Sequence, residues 1–328
     1  MKDANLPTFD VMIPRAAAVL ISSMILVTAG GTAWASVGGS PRAAAGAGVP
    51  RSTGPGPHGG PAVRSGLALV IDAEQGVTLF AKHPEKVAPI ASITKLMTAM
   101  VVLDSGSALD ETIAIDRADV DHLKNSRSRL PVGARLQRGD LLQVALMASD
   151  NRAASALARA YPGGTSACVE AMNRKALELG MPSTHFTDPT GLSERNVSSA
   201  EDLSRLVLAA GGYPRIREAT TTSTYSVRLS SGRVLEFLNS NLLVGRKTWD
   251  IGLSKTGYIN EAGKCLVMET KIAARRVIIV LLNSWGKYTR LGDAGRIRRW
   301  MEATTASPGA AREPSPQAGQ PRSTGGHG

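Results

Sequence analysis

The sequence predicts an α+β domain: an antiparallel sheet built from N- and C-terminal strands, with a helical lobe inserted between them. Three observations lead there. Strand-like apolar runs occupy residues 66–71 and 76–80 and return after residue 225. Helix-period patterning fills the interval from Ser92 to about residue 210. Glycine and proline crowd into two flanking stretches, which bounds the folded unit as residues 65–306. The early hairpin can complete a sheet only by pairing with the late strands. The helices must then form their own lobe, and a cleft between lobe and sheet follows.

The elements take their places in order. Residues 1–35 have the parts of a secretory signal: Lys2 and Arg15, an apolar run over 16–29, and Ala33-Trp34-Ala35 at a small-x-small cleavage site. That run falls short of the roughly 20 residues that span a bilayer; an uncleaved anchor is the alternative. Residues 36–64 hold eight glycines and five prolines and read as a flexible linker. The hairpin 66–80 turns across Asp72-Ala73-Glu74-Gln75. Ser92 opens an apolar helix carrying Leu96, Met97, Met100 and Val101. Leu141, Leu142, Val144, Ala145 and Leu146 mark another. Val169, Met172, Ala176, Leu177 and Leu179 mark a third, stopped by Gly180 and Pro182. Strands then return. Residues 225–237 turn at Ser230-Ser231-Gly232, 264–271 is a strand, and 277–282 is apolar throughout, as in a strand covered on both faces. A basic helix over 291–302 turns Ile297, Trp300 and Met301 inward, and 307–328 reads as a disordered tail.

Composition narrows the class of function. Of 328 residues, 43% are hydrophobic and 20% charged, as in a soluble globular protein. Aromatics are 4%, too few for a stacking surface on single-stranded nucleic acid. Two cysteines exclude a disulfide scaffold, although an exported chain could pair Cys168 with Cys265. Five histidines (58, 83, 122, 185 and 327) show no ligand spacing, so no metal or other cofactor is expected. His185 reads as a hydrogen-bonded structural histidine. The net charge of +11 admits nucleic acid, anionic lipid or an anionic polymer. The export signal decides among them: no nucleic acid, but loose association with a cell wall or membrane surface.

Three short motifs carry chemistry. Ser92-Ile93-Thr94-Lys95 places a hydroxyl and an amine at i and i+3, on one helix face. Alone it is weak, because Ser92 could be a helix N-cap and Ser284-Trp285-Gly286-Lys287 has the same spacing. Ser149-Asp150-Asn151 breaks the helical pattern and sits on a turn. Lys255-Thr256-Gly257 lies in a strand pattern just before 264–271.

Together, and in this order, the three motifs resemble the penicillin-binding serine D,D-peptidases and serine β-lactamases. Residues 128–136, 146–154, 171–176, 184–192 and 255–268 resemble more closely the low-molecular-mass D-alanyl-D-alanine carboxypeptidases and endopeptidases, most of all the penicillin-binding protein 7/8 type of murein endopeptidase. The resemblance implies that Ser92 is the nucleophile, Lys95 its general base and Ser149 a proton relay. It implies that Asn151, Lys255, Thr256 and Gly257 hold substrate, and that backbone amides of Ser92 and Tyr258 form the oxyanion hole. Lys95 must lose its proton near neutrality, and burial, the positive end of the Ser92 helix and Lys255 all push that way. Peptidoglycan stem peptides would be the substrate, β-lactams covalent inhibitors, and the periplasm or cell wall the location. That type lacks a C-terminal amphipathic anchor, and this chain ends in a Pro/Gly tail soon after Trp300, so a freely placed endopeptidase is expected over a carboxypeptidase. A class A β-lactamase would need Glu-x-x-Leu-Asn after Ser149-Asp150-Asn151; Glu194-Arg195-Asn196-Val197 and Glu201-Asp202-Leu203-Ser204 do not match. An idle murein-binding module is the third reading.

Overall fold

The computed structural model describes residues 59–306. The expected leader and tail, and most of the linker, lie outside the described residues. The ordered chain starts slightly before residue 65: Pro61 is buried, and the amides of Arg64 and Ser65 donate to the Asp293 carboxylate at 2.9 and 2.7 Å.

In chain order the domain runs β1 (Leu67–Asp72), β2 (Thr78–Lys82), β3 (Ala88–Pro89), a 3-10 turn (Ala91–Ile93), α1 (Thr94–Asp104) and β4 (Thr112–Ala114). A second 3-10 turn (Arg117–Asp119), β5 (Arg135–Gln137), α2 (Arg138–Met147), α3 (Asn151–Arg159), α4 (Gly164–Glu178), β6 (Val197–Ser198) and α5 (Ala200–Ala210) complete the helical lobe. Then come α6 (Pro214–Thr221), β7 (Thr224–Arg228), β8 (Val234–Leu238), β9 (Asp250–Ile259), β10 (Gly263–Ile272), β11 (Arg275–Ser284) and α7 (Thr289–Ala306).

The main sheet has the order β2-β1-β11-β10-β9. β1 pairs antiparallel with β11, from Leu67 opposite Leu282 to Asp72 opposite Val277, so the early hairpin joins the late strands as the sequence predicts. Period-two alternation divides the strand residues between two cores. Leu67, Leu69, Val267, Ile278, Val280 and Leu282 face the helical lobe. Ala68, Val70, Leu266, Met268, Ile279 and Leu281 face Ala294, Ile297 and Met301 of α7. Both faces of β11 are therefore covered, which explains its unbroken apolar run. Trp300 is only half-buried and meets Phe80 edge-on.

Local expectations fare unevenly. Leu177, placed on the inner face of its helix by spacing, is exposed, because α4 turns Cys168, Ala171, Met172 and Ala176 inward instead. The His185 backbone bridges to Val197, while among the described residues its ring makes no hydrogen bond. Cys168 and Cys265 are both buried and free. Burial pushes their thiols up to about 12 and about 11, so neither is reactive.

Candidate active site

Ser92 does not cap a helix. It lies in the 3-10 turn, α1 begins after Ile93, and neither start has a side-chain cap. Its hydroxyl is left for Lys95, whose Nζ lies 2.8 Å from Ser92 Oγ. Ala91, just before Ser92, is held at φ +48, a left-handed conformation costly for alanine. Gly257 of β9 passes directly beneath. A Cβ there would lie 2.9 Å from the Ile90 carbonyl oxygen and 3.1 Å from the Ser92 amide, so only glycine lets the strand approach this closely.

Lys95 is the hub of the site. Its Nζ contacts Ser92 Oγ at 2.8 Å, Asn151 Oδ1 at 2.6 Å and the Thr190 carbonyl at 2.6 Å. The last two can only accept. A neutral amine has two N–H groups and one lone pair. With both N–H groups donated to Asn151 and Thr190, the lone pair is left for the Ser92 hydroxyl proton. Burial depresses the ammonium from the ordinary lysine range to about 7, against an opposing pull from Asp188, Asp150 and Asp121.

Each contact is itself positioned. Asn151 opens α3, where the Asp150 carboxylate caps the Ala153 amide at 3.0 Å and accepts from Ser128 Oγ. Asn151 Nδ2 donates to Ser126 Oγ at 2.7 Å, leaving its oxygen toward Lys95. Thr190 is fixed by Asp188, whose carboxylate accepts the amides of Thr190, Gly191 and Ser193. Thr190 serves Lys95 through a backbone carbonyl acceptor, a role with no side-chain signature in the sequence. Ser149 occupies the adjoining turn at φ +60, half-buried, and among the described residues its hydroxyl has no hydrogen-bond partner.

On β9, Lys255 and Thr256 are both buried. Lys255 Nζ donates to the Thr256 carbonyl at 3.0 Å, and Thr256 Oγ1 donates to Ser240 Oγ at 2.7 Å. Burial, then Lys95, then Arg290 hold Lys255 well below the ordinary lysine range. Arg290 was not anticipated, for nothing in the pattern separates it from the other basic residues of α7. Its Nε and Nη1 are buried without a partner. Buried Lys255 and half-buried Arg290, with no ion pair to either among the described residues, make a receptor for an anion. The second Ser-x-x-Lys does something else: Ser284 Oγ hydrogen-bonds Ser65 Oγ at 2.7 Å, and Lys287 lies over the Tyr288 ring.

Comparison with known proteins identifies the family. Among curated relatives, the D-alanyl-D-alanine endopeptidase of Pseudomonas aeruginosa is 49% identical over 251 residues, covering 76% of this chain and 81% of its own length. That of Escherichia coli K12 is 45% identical over 249 residues, covering 76% and 80%. Among solved structures, the Streptomyces K15 DD-transpeptidase superposes with a TM-score of 0.69 at 28% identity, covering 74% of this chain and 99% of that one. The profile of the S11 peptidases, described as D-alanyl-D-alanine carboxypeptidase, matches residues 55–286. The chain belongs to the S11 family of serine D-alanyl-D-alanine peptidases.

Proposed function

We propose that this protein hydrolyses D-alanyl bonds in peptidoglycan stem peptides through an acyl-enzyme on Ser92, and that cross-links are its preferred substrate. The observation that carries the chemistry is the three-way coordination of Lys95 Nζ by Ser92, Asn151 and Thr190. Lys95 takes the Ser92 proton as Oγ attacks the D-alanine carbonyl, and backbone amides of Ser92 and Tyr258 hold the resulting oxyanion. The tetrahedral intermediate collapses and expels the amine, which receives a proton by way of Ser149. Water then releases the acyl group. Lys255, Thr256 and Arg290 take the substrate carboxylate, Gly257 admits its backbone, and β-lactams acylate the same serine.

A cross-link needs room for a second stem. A groove of about 560 Å³, lined by Ser128, Arg129 and 233–236, runs beside the Ser128–Asp150 pair and supports that reading. So do the relatives named as endopeptidases. No helix among the described residues is long and apolar enough to cross a membrane, and we place the protein in the periplasm or at the cell wall, as cell-wall chemistry requires. The domain plan is likewise a proposal: leader 1–35, linker 36–64, peptidase domain 65–306 and tail 307–328. The test is product analysis of purified dimeric and monomeric muropeptides by mass spectrometry. Cleavage of the dimer is expected; D-alanine released from monomeric pentapeptide with the dimer intact makes it a carboxypeptidase instead.

The pH dependence follows from Lys95. Only the neutral amine is a base, and with its value lowered to about 7 the acylation rate climbs about tenfold per pH step below neutrality and levels above it. At pH 5 roughly 1% of the plateau rate is expected. Stopped-flow acylation by a chromogenic β-lactam checks this, and a profile flat from pH 5 to 8 removes Lys95 as the base.

A further inference from the structure

Aromatic residues are scarce in this chain, with four Trp, five Tyr and four Phe in 328 residues. Among the described residues, the aromatic side chains more than half exposed are Tyr258 at 55%, Trp285 at 72% and Tyr288 at 55%. All three gather at one end of the main sheet. Tyr258 lies near the end of β9, opposite Lys264 of β10. Lys264 in turn lies opposite Ser284 of β11, which Trp285 follows, and Tyr288 leads into α7. Rings this exposed forgo part of the burial that favours folding, and their clustering points to a ligand.

The surrounding charge is positive. Lys264 Nζ stands 3.9 Å from the Tyr258 ring centroid and Lys287 Nζ 5.2 Å from that of Tyr288. Neither lysine forms an ion pair among the described residues. Burial, Arg290 and Lys287 together lower Lys264. The patch also adjoins the cleft, because Tyr258 follows the Gly257 that lies against the Ser92 amide.

We propose that this patch is a glycan subsite, in which Trp285 and Tyr288 stack on the aminosugar rings that bear the stem peptide while Lys264 and Lys287 attract carboxylates of the same strand. The proposal rests on the murein-peptidase reading above. Four ordinary extended residues span about 14 Å, so the sugar of a bound stem lies within reach of the cleft mouth. A flat aromatic face meets the apolar C–H face of a pyranose, while indole N–H and phenol O–H can bond its hydroxyl and acetamido groups. The second Ser-x-x-Lys motif thereby acquires a use: its turn presents Trp285 and Lys287.

The test compares kcat/KM on cross-linked muropeptides with their disaccharides against the same peptides freed of sugar. The wild type should prefer the sugar-bearing substrate. The Trp285→Ala/Tyr288→Ala double variant should lose about tenfold on it, with sugar-free cleavage and penicillin acylation unchanged. Equal losses on both substrates, or none on either, overturn the proposal. Binding is read separately with Ser92→Ala protein, which cannot turn over. Peptide-free glycan fragments should shift its tryptophan emission, and no shift overturns the subsite whether or not the peptidase reading survives. If the double variant instead loses only sedimentation with anionic phospholipid vesicles, the patch is a membrane contact and the glycan proposal fails.

Discussion

Lys95→Arg protein is expected to acquire its penicillin adduct at least about a hundredfold more slowly than wild type, although arginine retains the positive charge. In intact-mass spectra the wild type should gain one covalent adduct, Ser92→Ala none, and Ser284→Ala should behave as wild type. The separation between charge and base rests on the donor count at Nζ, where Asn151 Oδ1 and the Thr190 carbonyl absorb two N–H groups and leave a lone pair for Ser92. Guanidinium has no accessible lone pair near neutrality. Lys95→Ala removes the base as well, and acylation falls by about 10²–10⁴-fold in either variant. A melting curve distinguishes a lost base from a lost fold. Burying the protonated amine costs about 5 kcal/mol, given the drop from 10.5 to about 7. Because the folded value is depressed, the unfolded chain binds more protons between pH 7 and 10.5, and stability rises with pH across that window. Lys95→Ala lacks this penalty. A folded Lys95→Arg protein that acylates near the wild-type rate refutes the general-base role.

Gly191→Ala should be among the most damaging single changes to the domain. Gly191 has φ +81, and a Cβ there would sit 2.0 Å from the Ala91 carbonyl oxygen and 2.8 Å from the Ser92 amide. Backbone must move, and the backbone in question positions Ser92, the proposed nucleophile, and its amide, one proposed oxyanion donor. The expected loss is about 3–5 kcal/mol, seen as a melting temperature lower by about 10 °C, with slowed acylation. Gly76→Ala is the control: φ is +68 but nothing lies within 4 Å, so it pays only the left-handed conformation, about 1 kcal/mol. Equal melting temperatures for the two variants would show that the Gly191 turn yields without consequence.

The sheet was legible because its signals are local: apolar strand-length runs at 67–72 and 264–282, the last of them buried on both sides. Ser92 and Lys95 were legible for the same reason, since i and i+3 on a helical turn fix their approach. What escaped was carried by backbone or by distance. Thr190 contributes a carbonyl, which every residue has. Arg290 reaches Lys255 across the fold from an otherwise ordinary basic helix. The two-stranded pairs β3–β6 and β4–β5 are too short for any periodicity to emerge. Helix α6 begins at Pro214, beyond the stretch read as helical, and Tyr213 supplies no side-chain cap to announce it.

The pairing of β1 with β11 also governs when the domain can fold. Leu67 waits for Leu282, a separation of roughly 200 residues, and such long-range closure is slow. Until β11 leaves the ribosome, the apolar face of β1 has no neighbour on that side and α5 packs against an incomplete sheet. Any product truncated before residue 275 lacks the central strand and keeps two unsatisfied strand edges, on β1 and β10. Such fragments are substrates for proteolysis or aggregation. The same delay leaves the growing chain open and threadable until Ser284, the end of β11, has been made.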